Sequence, residues 1–291
     1  MSEHVTDNRQ LIAAARTAWA CLETIHIVGY FAEEPTEQYV ALGLHPQLSY
    51  FPARSAALGA VRPEVSEATF YVFAPWLHEA ALPAAWDVVT PERLVQARRD
   101  GVGAALSRIL GSPDLAEALD LARAVTEGLT CPGRPLYAAH AGLAWPGTDL
   151  LDLWHAATLV REHRGDGHVA VLTAAGVGPA EATVLDGIWS QRTRFLEQTR
   201  GWSAEELTAA TGQLAARGWV DGEGALTEAG RAARLEMESS TDDAGLEGWT
   251  HLGMAGALRL AELLTPLRDT ILSAGLLPEE LVAASGRTSR E

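Results

Sequence analysis

The chain contains no lysine, so all 22 of its basic residues are arginine. This absence excludes a Schiff-base lysine, a Walker-type phosphate loop and a serine–lysine dyad. Cys21 and Cys131 are too few for a disulfide framework or a zinc knuckle, and we expect both to be free thiols. No stretch approaches the roughly eighteen uninterrupted apolar residues of a membrane helix, so we expect a cytoplasmic protein without a membrane span.

The sequence also lacks the motifs of several common enzyme classes. It has no glycine-rich dinucleotide fingerprint after a strand, no GxSxG nucleophile elbow and no phosphate-binding loop. These absences argue against dinucleotide-dependent enzymes, α/β-hydrolases and NTPases. The net charge of −16 opposes binding to nucleic acid or to an anionic membrane unless positive charge is locally concentrated.

Apolar residues recur at helical spacing along most of the chain, and almost none alternate with the period of a strand. We therefore predict a mainly α-helical fold. A helix is indicated over Leu11–Tyr30, and another starts after Thr90, with proline at its first position, and ends near Leu110. We divide the chain into an N-terminal helical domain over 1–147, a winged-helix domain with its preceding helix over 148–245, and C-terminal helices over 246–291.

The segment 179–242 has the order helix, helix, helix, hairpin, helix. Ser203 and Glu206 have the spacing of a capping box, and residues 219–226 have the glycine-rich turn of a short hairpin. Thr227 then fits the N-cap of the last helix. The run LAARGWVDGEGALTEAGR resembles the third helix, wing and following helix of MarR- and PadR-like winged-helix proteins. The resemblance implies a helical domain with a two-stranded β wing.

The charge of this segment is unusual for a DNA reader. It contains six arginines and eleven acidic residues, which give it a net charge of −5. The predicted recognition helix, 203–217, carries two glutamates near its start and one arginine at its end, and the wing carries Asp221 and Glu223. DNA-reading winged helices place basic and amide side chains at these positions. We therefore expect the segment to serve as a scaffold or a dimer contact rather than to bind DNA.

Several longer runs carry a resemblance that covers nearly the whole chain. They are IHIVGYFAEE, PARSAALGAV with the PEV and EATFYVFAP that follow, LPAAWDV, and LWHAATLVREHRGDGH before an AAG turn. Together they resemble an actinobacterial winged helix-turn-helix family of about this length, a relative of which lies in a salinomycin polyether pathway. The resemblance implies this architecture and a place in secondary metabolism, and it assigns no catalytic residue.

The densest polar cluster of the sequence lies in residues 153–170, with three of the nine histidines, two arginines and two acids. We predict a helix from Asp149 to His163 that ends at Gly165, followed by a short helix from about His168. The glycine-rich turn between the two helices would then bring His168 back toward His163.

The functional interpretation of this cluster is a pocket with acid and base groups. Its candidate catalytic residues are His155, His163, His168, Glu162 and Asp166. A neutral imidazole near pH 7 suits proton transfer, and a carboxylate can orient it. Arg161 or Arg164 would hold a carboxylate or phosphate of the substrate. The alternative interpretation is structural, with helix caps from His163 and Asp166 and surface ion pairs from the arginines.

A second set of candidates lies upstream, in and just before a proline- and aromatic-rich region over 31–85 that we predict to form short helices. Such aromatic side chains can line an apolar pocket, or they can form an ordinary core. Arg54 is a candidate anion anchor, with a surface role as the alternative. The full set of ligand-binding candidates is His26, Tyr30, Phe31, Arg54, Phe70, Tyr71, Phe73, Arg161 and Arg164.

Four histidines, His26, His155, His163 and His168, are the candidate ligands for a metal or haem. They lack zinc spacing and no cysteine accompanies them, so we expect no metal and no cofactor.

We hypothesise a cytoplasmic protein of secondary metabolism that binds an apolar small molecule between its N-terminal helices and the helix carrying His155. It would either sense that molecule or tailor it by proton transfer, as an isomerase or cyclase does. The C-terminal helices would pack on the body or form a homodimer. The alternative is a ligand-responsive transcriptional regulator of MarR- or PadR-like type.

Overall fold

The structure is a computed structural model that describes residues 2–281, which form α-helices joined by short turns. The helices are α1 (Ser2–Phe31), α2 (Glu33–Ala41), α3 (Tyr50–Ser55), α4 (Pro63–Phe70), α5 (Pro75–Val88), α6 (Pro91–Leu110), α7 (Ala116–Glu127), α8 (Pro135–Ala141), α9 (Asp149–Ala174), α10 (Pro179–Ser190), α11 (Thr193–Arg200), α12 (Ala204–Ala216), α13 (Glu228–Ala244) and α14 (Glu247–Ser273). A turn of 3₁₀-helix, Ala56–Leu58, follows α3. The prediction of a mainly helical fold is confirmed.

Proline and threonine set many of the helix starts. Five helices, α4, α5, α6, α8 and α10, begin with a proline, whose fixed φ and missing N–H suit the first helical position. The hydroxyl of Thr90 caps α6 by accepting a hydrogen bond from the N–H of Arg93, and Gly111 ends this helix with a φ of 68°. The helix predicted after Thr90 therefore has the predicted bounds.

The main core is formed by α1, α6, α7, α9 and α14. Residues of α1 at helical spacing are buried in it, and α14 lies along α1. Between Asn8 and Phe31, α1 is long and apolar enough to cross a membrane, and no other unbent helix among residues 2–281 is. Because 56% of the most apolar window of α1 is buried by other helices, α1 packs as a core helix does.

Short helices cover the opposite side of α6. A Cβ at Gly101 of α6 would lie only 2.4 Å from Cα of Pro35, so glycine is what lets α2 approach α6. Helices α3, α4, α5 and α8 meet in a smaller apolar cluster of Phe51, Phe70, Phe73, Ala81, Leu82 and Leu136. Helices α6 and α8 both pack against α9, and Arg54 of α3 reaches Glu162 in the middle of α9.

The prediction that the helix of the polar cluster ends at Gly165 is wrong, because α9 runs without a break from Asp149 to Ala174. The guanidinium of Arg134 lies against Gly167, where an added Cβ would be 2.0 Å from its Nη1. Arg134 donates to the carbonyl of His163 at 2.9 Å and to that of Ala244 at 2.7 Å. Glycine at 167 therefore serves close packing and not a turn.

Helices α10 to α13 surround a separate apolar cluster that includes Leu185, Leu214 and Met237. The predicted caps are found: Ser203 and Glu206 form a capping box on α12, and Thr227 caps α13. The predicted two-stranded wing is not formed. Among residues 2–281 the hairpin consists of one antiparallel bridge, between Val220 and Leu226, and no strand is present. Within the turn, Oδ1 of Asp221 accepts from the N–H groups of residues 223 and 225, so the N–H of residue 225 does not pair with the backbone carbonyl of Asp221.

Candidate functional site

The three histidines of α9 lie in three separate environments. His155 lines a narrow cleft between helices. His163 packs edge-on against Tyr137, with ring centres 5.0 Å apart, and Nδ1 of His168 is hydrogen-bonded to Thr241 at 2.9 Å. Because α9 is one continuous helix, the three side chains point in different directions, about 80° and then about 140° apart. The structure does not bring His168 near His163, and the predicted juxtaposition is wrong.

Glu162 is the centre of a buried ion cluster. Nη2 of Arg54 donates to both of its carboxylate oxygens, at 3.0 and 3.1 Å, and Nη1 of Arg161 donates to one of them at 2.7 Å. Burial alone would raise the pKa of Glu162, but the two guanidinium groups hold that pKa well below its usual range. Arg54 also donates to the hydroxyl of Tyr50 and lies 4.2 Å from the centre of the Phe70 ring. Arg54 and Arg161 are therefore neutralised from within the protein.

His26 continues this cluster through uncharged hydrogen bonds. The hydroxyl of Thr158 donates to the carbonyl of Trp154, so it accepts from Nδ1–H of His26, at 2.9 Å. Nε2 of His26 then accepts from the hydroxyl of Tyr30, at 2.6 Å. Burial, with the positive charge of Arg161 adding to it, lowers the pKa of His26 well below its usual range. His26 is thus a neutral core histidine with both nitrogens paired.

Arg98 on α6 is a buried cation that the sequence analysis missed. It is 3% exposed, and its guanidinium lies between the rings of Tyr30 and Trp154, 5.5 and 5.1 Å from their centres. Among residues 2–281 no carboxylate forms an ion pair with it, and Nη2 has no hydrogen-bond partner. The helical spacing in the sequence does indicate that Arg98 is buried, because it falls four residues from both Leu94 and Val102 on the buried face of α6.

His140 of α8 and His155 of α9 line the same narrow cleft as Arg98. Both histidines are buried, and Nε2 of each has no hydrogen-bond partner among the described residues. Burial, reinforced by the charge of Arg98, lowers the pKa of His140 to about 3. Burial and the charge of Arg99 lower the pKa of His155 to about 4. Two neutral imidazoles and one guanidinium thus converge on one cleft with polar nitrogens unpaired.

The loop between α8 and α9 forms one edge of this cleft and is tied to the helices around it. Nη2 of Arg99 donates to the carbonyl of Ala144 at 2.6 Å, and Oδ1 of Asp152 accepts from the N–H of Gly147 at 2.7 Å. The ring of Trp145 packs edge-on against His155, with centres 4.9 Å apart, and is 38% exposed. The cleft has a volume of about 10 Å³, room for about one water molecule, and Leu143 of this loop lines it.

The exposed face of α12 carries no basic side chain. It is formed by Glu205, Thr208, Ala209, Gly212, Gln213 and Ala216. Arg217, which follows the helix, donates to the backbone carbonyls of Ala175 and Gly176 and so holds α12 against the end of α9. Glu206 accepts from the N–H of Ser203 within the capping box.

Comparison with known protein families identifies the family to which the chain belongs. A model described as a helix-turn-helix family matches residues 15–278. The chain belongs to this helix-turn-helix family. No curated protein and no solved structure matches the chain. Because the match spans the helical body as well as α10 to α13, the cleft at Arg98 lies within the region that the family shares.

The other predicted residues of this helix-turn-helix protein have structural contacts away from the cleft. Oδ2 of Asp166 accepts from the N–H of Tyr137 at 2.9 Å and so caps the start of α8, and burial raises the pKa of Asp166 to about 6. Arg164 forms ion pairs with Glu238 and Asp242. These contacts place Asp166 and Arg164 between α9 and its neighbouring helices.

Three aromatic candidates also lie apart from the cleft. The hydroxyl of Tyr71 donates to the carbonyl of Val177 at 2.7 Å, which joins the end of α4 to the helix-turn-helix segment. Phe73 packs edge-on against Phe51, with ring centres 5.2 Å apart, and Phe31 is half-buried at the end of α1. In the described part of the chain no group of three or more His, Cys, Asp or Glu side chains is placed to hold a metal ion.

Proposed function

We propose that this helix-turn-helix protein binds a small molecule in the cleft between α6, α8 and α9. The observation that carries the proposal is the convergence of Arg98, His140 and His155, each with an unpaired nitrogen, on one cleft. Ten buried side-chain nitrogens and oxygens of the described residues have no hydrogen-bond partner, and three of the ten line this one cleft. Each such group costs about 1–3 kcal/mol. A bound molecule would supply the missing partners.

The position of the cleft also supports the proposal. It lies between α6, in the N-terminal part of the chain, and the α9 helix that carries His155, and the sequence analysis expected a pocket between those two parts. Of the five candidate catalytic residues, His155 is the one that lines it. A role in secondary metabolism, implied by the family resemblance, is part of the proposal.

Binding is supported better than proton transfer. Burial lowers the pKa of His155, His163 and His168 to about 4 each, so all three are neutral at pH 7 and are weak bases. A general base works best when its pKa is near the operating pH. We therefore keep tailoring by isomerisation or cyclisation as a secondary proposal, to be assayed with the ligand once that ligand is known.

The second candidate function is a ligand-responsive regulator with a winged helix of MarR- or PadR-like type. Membership of a helix-turn-helix family favours it. The surface of α12 opposes it, because the exposed face carries a glutamate and no basic side chain. We propose that α10 to α13 act as a scaffold or a dimer contact in a cytoplasmic protein.

A variant that fills the cleft tests the proposal. Ala57 lines the cleft, so Ala57→Leu would occupy it, and Ala80→Leu on the exposed surface of α5 is the matched control. The melting temperature of each protein would be measured against a fragment set of organic acids, amines and neutral aromatic compounds. We expect some fragments to stabilise the wild type and Ala80→Leu but not Ala57→Leu. A wild type that responds to no fragment, or an equal response in Ala57→Leu, contradicts the proposal.

A further inference from the structure

We infer that the cleft binds the carboxylate group of a small organic acid, with Arg98 as its counter-ion and His140 and His155 as hydrogen-bond donors. This assignment rests on the proposed function, since the acid would occupy the same cleft. It names a ligand class by charge, whereas the sequence led us to expect an apolar molecule.

The arginines around α9 differ in their counter-ions. Arg54 and Arg161 both hold Glu162, and Arg161 also lies 3.6 Å from Glu23. Among residues 2–281 no carboxylate forms an ion pair with the buried Arg98, and its Nη2 has no hydrogen-bond partner. Since a buried charge without a counter-ion is costly, an anion is the expected occupant of the cleft.

The hydrogen-bonding groups of the cleft also favour a ligand with a carboxylate group. An arginine can only donate, and a neutral histidine can donate from Nε2 when its proton is there. A carboxylate is an acceptor with two oxygens and about four lone-pair sites, so it can accept from Arg98, His140 and His155 together. An amine would instead add a positive charge beside Arg98, and an alcohol would leave that charge unpaired.

The shape of the cleft favours a small head group with an apolar remainder. The cleft is narrow, and the Trp154 ring and the Leu143 side chain form part of its wall. Its edge is the loop whose Trp145 ring touches His155 and is partly exposed. The cleft has a volume of about 10 Å³, room for about one water molecule, so the edge with Leu143 and Trp145 would move outward as a carboxylate enters. The body of the acid would then lie against this aromatic edge.

The test compares benzoate with benzyl alcohol, a neutral compound of similar shape, and with inorganic phosphate and chloride at equal ionic strength. Binding to the full-length protein would be measured by calorimetry and by the shift in melting temperature. The variants are Arg98→Met and Arg98→Lys, and Arg93→Met is the matched control because Arg93 lies exposed on the same helix. Arg98→Met removes an unpaired buried charge, so we expect it to fold and to melt no lower than the wild type.

We expect benzoate to bind the wild type and Arg93→Met equally, at least tenfold more weakly to Arg98→Lys, and not measurably to Arg98→Met. Equal affinity for benzoate and benzyl alcohol, or unchanged benzoate binding by Arg98→Met, would overturn the assignment of an acid while leaving small-molecule binding intact. Phosphate or chloride binding as tight as benzoate would replace the organic acid with a simple inorganic anion. If no compound binds the wild type, both this assignment and the proposed function fail.

Discussion

Arg54 on α3 donates from one nitrogen to both carboxylate oxygens of Glu162 on α9, and both side chains are buried. The two residues are 108 positions apart in the chain, so their pairing fixes the N-terminal helices against α9. Arg161, the preceding residue on α9, forms an ion pair with the same carboxylate and also lies 3.6 Å from Glu23. Beside this paired cluster lies Arg98, which has no such partner.

Replacing Glu162 with glutamine would leave the buried Arg54 without its counter-ion and Arg161 with Glu23 alone. We expect a loss of about 3–5 kcal/mol in the free energy of unfolding, as found when one member of a buried ion pair is removed. Urea denaturation followed by circular dichroism measures it. The control is Glu64→Gln, since Glu64 pairs with Arg62 on the surface, where a loss of at most about 1 kcal/mol is expected. Equal losses in the two variants would show that the buried cluster does not hold the helices together.

The stability of the protein should fall steeply as the pH drops below about 6.5. Burial is the main reason that five histidines have pKa values of about 3 or about 4 in the folded chain, against about 6.5 when unfolded. The unfolded chain therefore takes up protons first, and the stability present above about pH 6.5 is lost as the pH falls toward about 4. These histidines are His78, His140, His155, His163 and His168.

Asp166 contributes to the pH dependence of stability in the opposite direction, but it is one group against five histidines. Its pKa is raised to about 6, so the stability it adds is present at low pH and is lost as the pH rises through about 6. Urea midpoints measured between about pH 5 and about pH 8 check the balance, and His140→Asn should make the profile shallower. A flat profile for the wild type would mean that the buried histidines take up protons in the folded chain as readily as in the unfolded chain.

Two neighbouring glycines of α9 should respond to alanine in opposite directions. Gly167→Ala would displace Arg134 and break its hydrogen bonds to two backbone carbonyls, so we expect a net loss of about 1–3 kcal/mol. At Gly165 a Cβ would meet only the Glu162 side chain, at an ordinary 3.7 Å. Gly165→Ala should therefore gain up to about 1 kcal/mol from helix propensity. Thermal unfolding of both variants tests this, and a shift of the same sign in both would contradict it.

These glycines also show why the sequence misplaced the end of α9. Two glycines flanking an aspartate are typical of a turn, and local propensity is what the sequence analysis could use. The contact that uses Gly167 within the helix comes from Arg134, which lies about thirty residues upstream in the chain and is brought near by the tertiary fold. Where the signals are local, as at Thr90, Ser203 and Thr227, the predicted caps are found.

The candidate site was foreseen in part for the same physical reason. His155 stood out because it lies in a dense run with two other histidines, whereas His140 stands alone among apolar residues and Arg98 lies among ordinary polar residues of a helix. Convergence of residues from α6, α8 and α9 depends on how three helices pack, and a single sequence does not encode that packing in any local pattern. The position of Arg98 on the buried face of α6 was the available signal.

The last prediction concerns DNA. We expect fluorescence anisotropy with the DNA upstream of the protein's own coding sequence to show only weak binding, with a Kd of about 10⁻⁴–10⁻⁶ M or weaker, that disappears at moderate salt. The exposed face of α12 has no arginine, and Arg217 is occupied by the carbonyls of Ala175 and Gly176. As a control, Glu205→Arg adds positive charge at the start of this face and should strengthen nonspecific binding. Tight, sequence-dependent binding by the wild type that survives moderate salt would contradict this prediction and make the protein a regulator. The contacts that specify bases would then come from neutral side chains on α12.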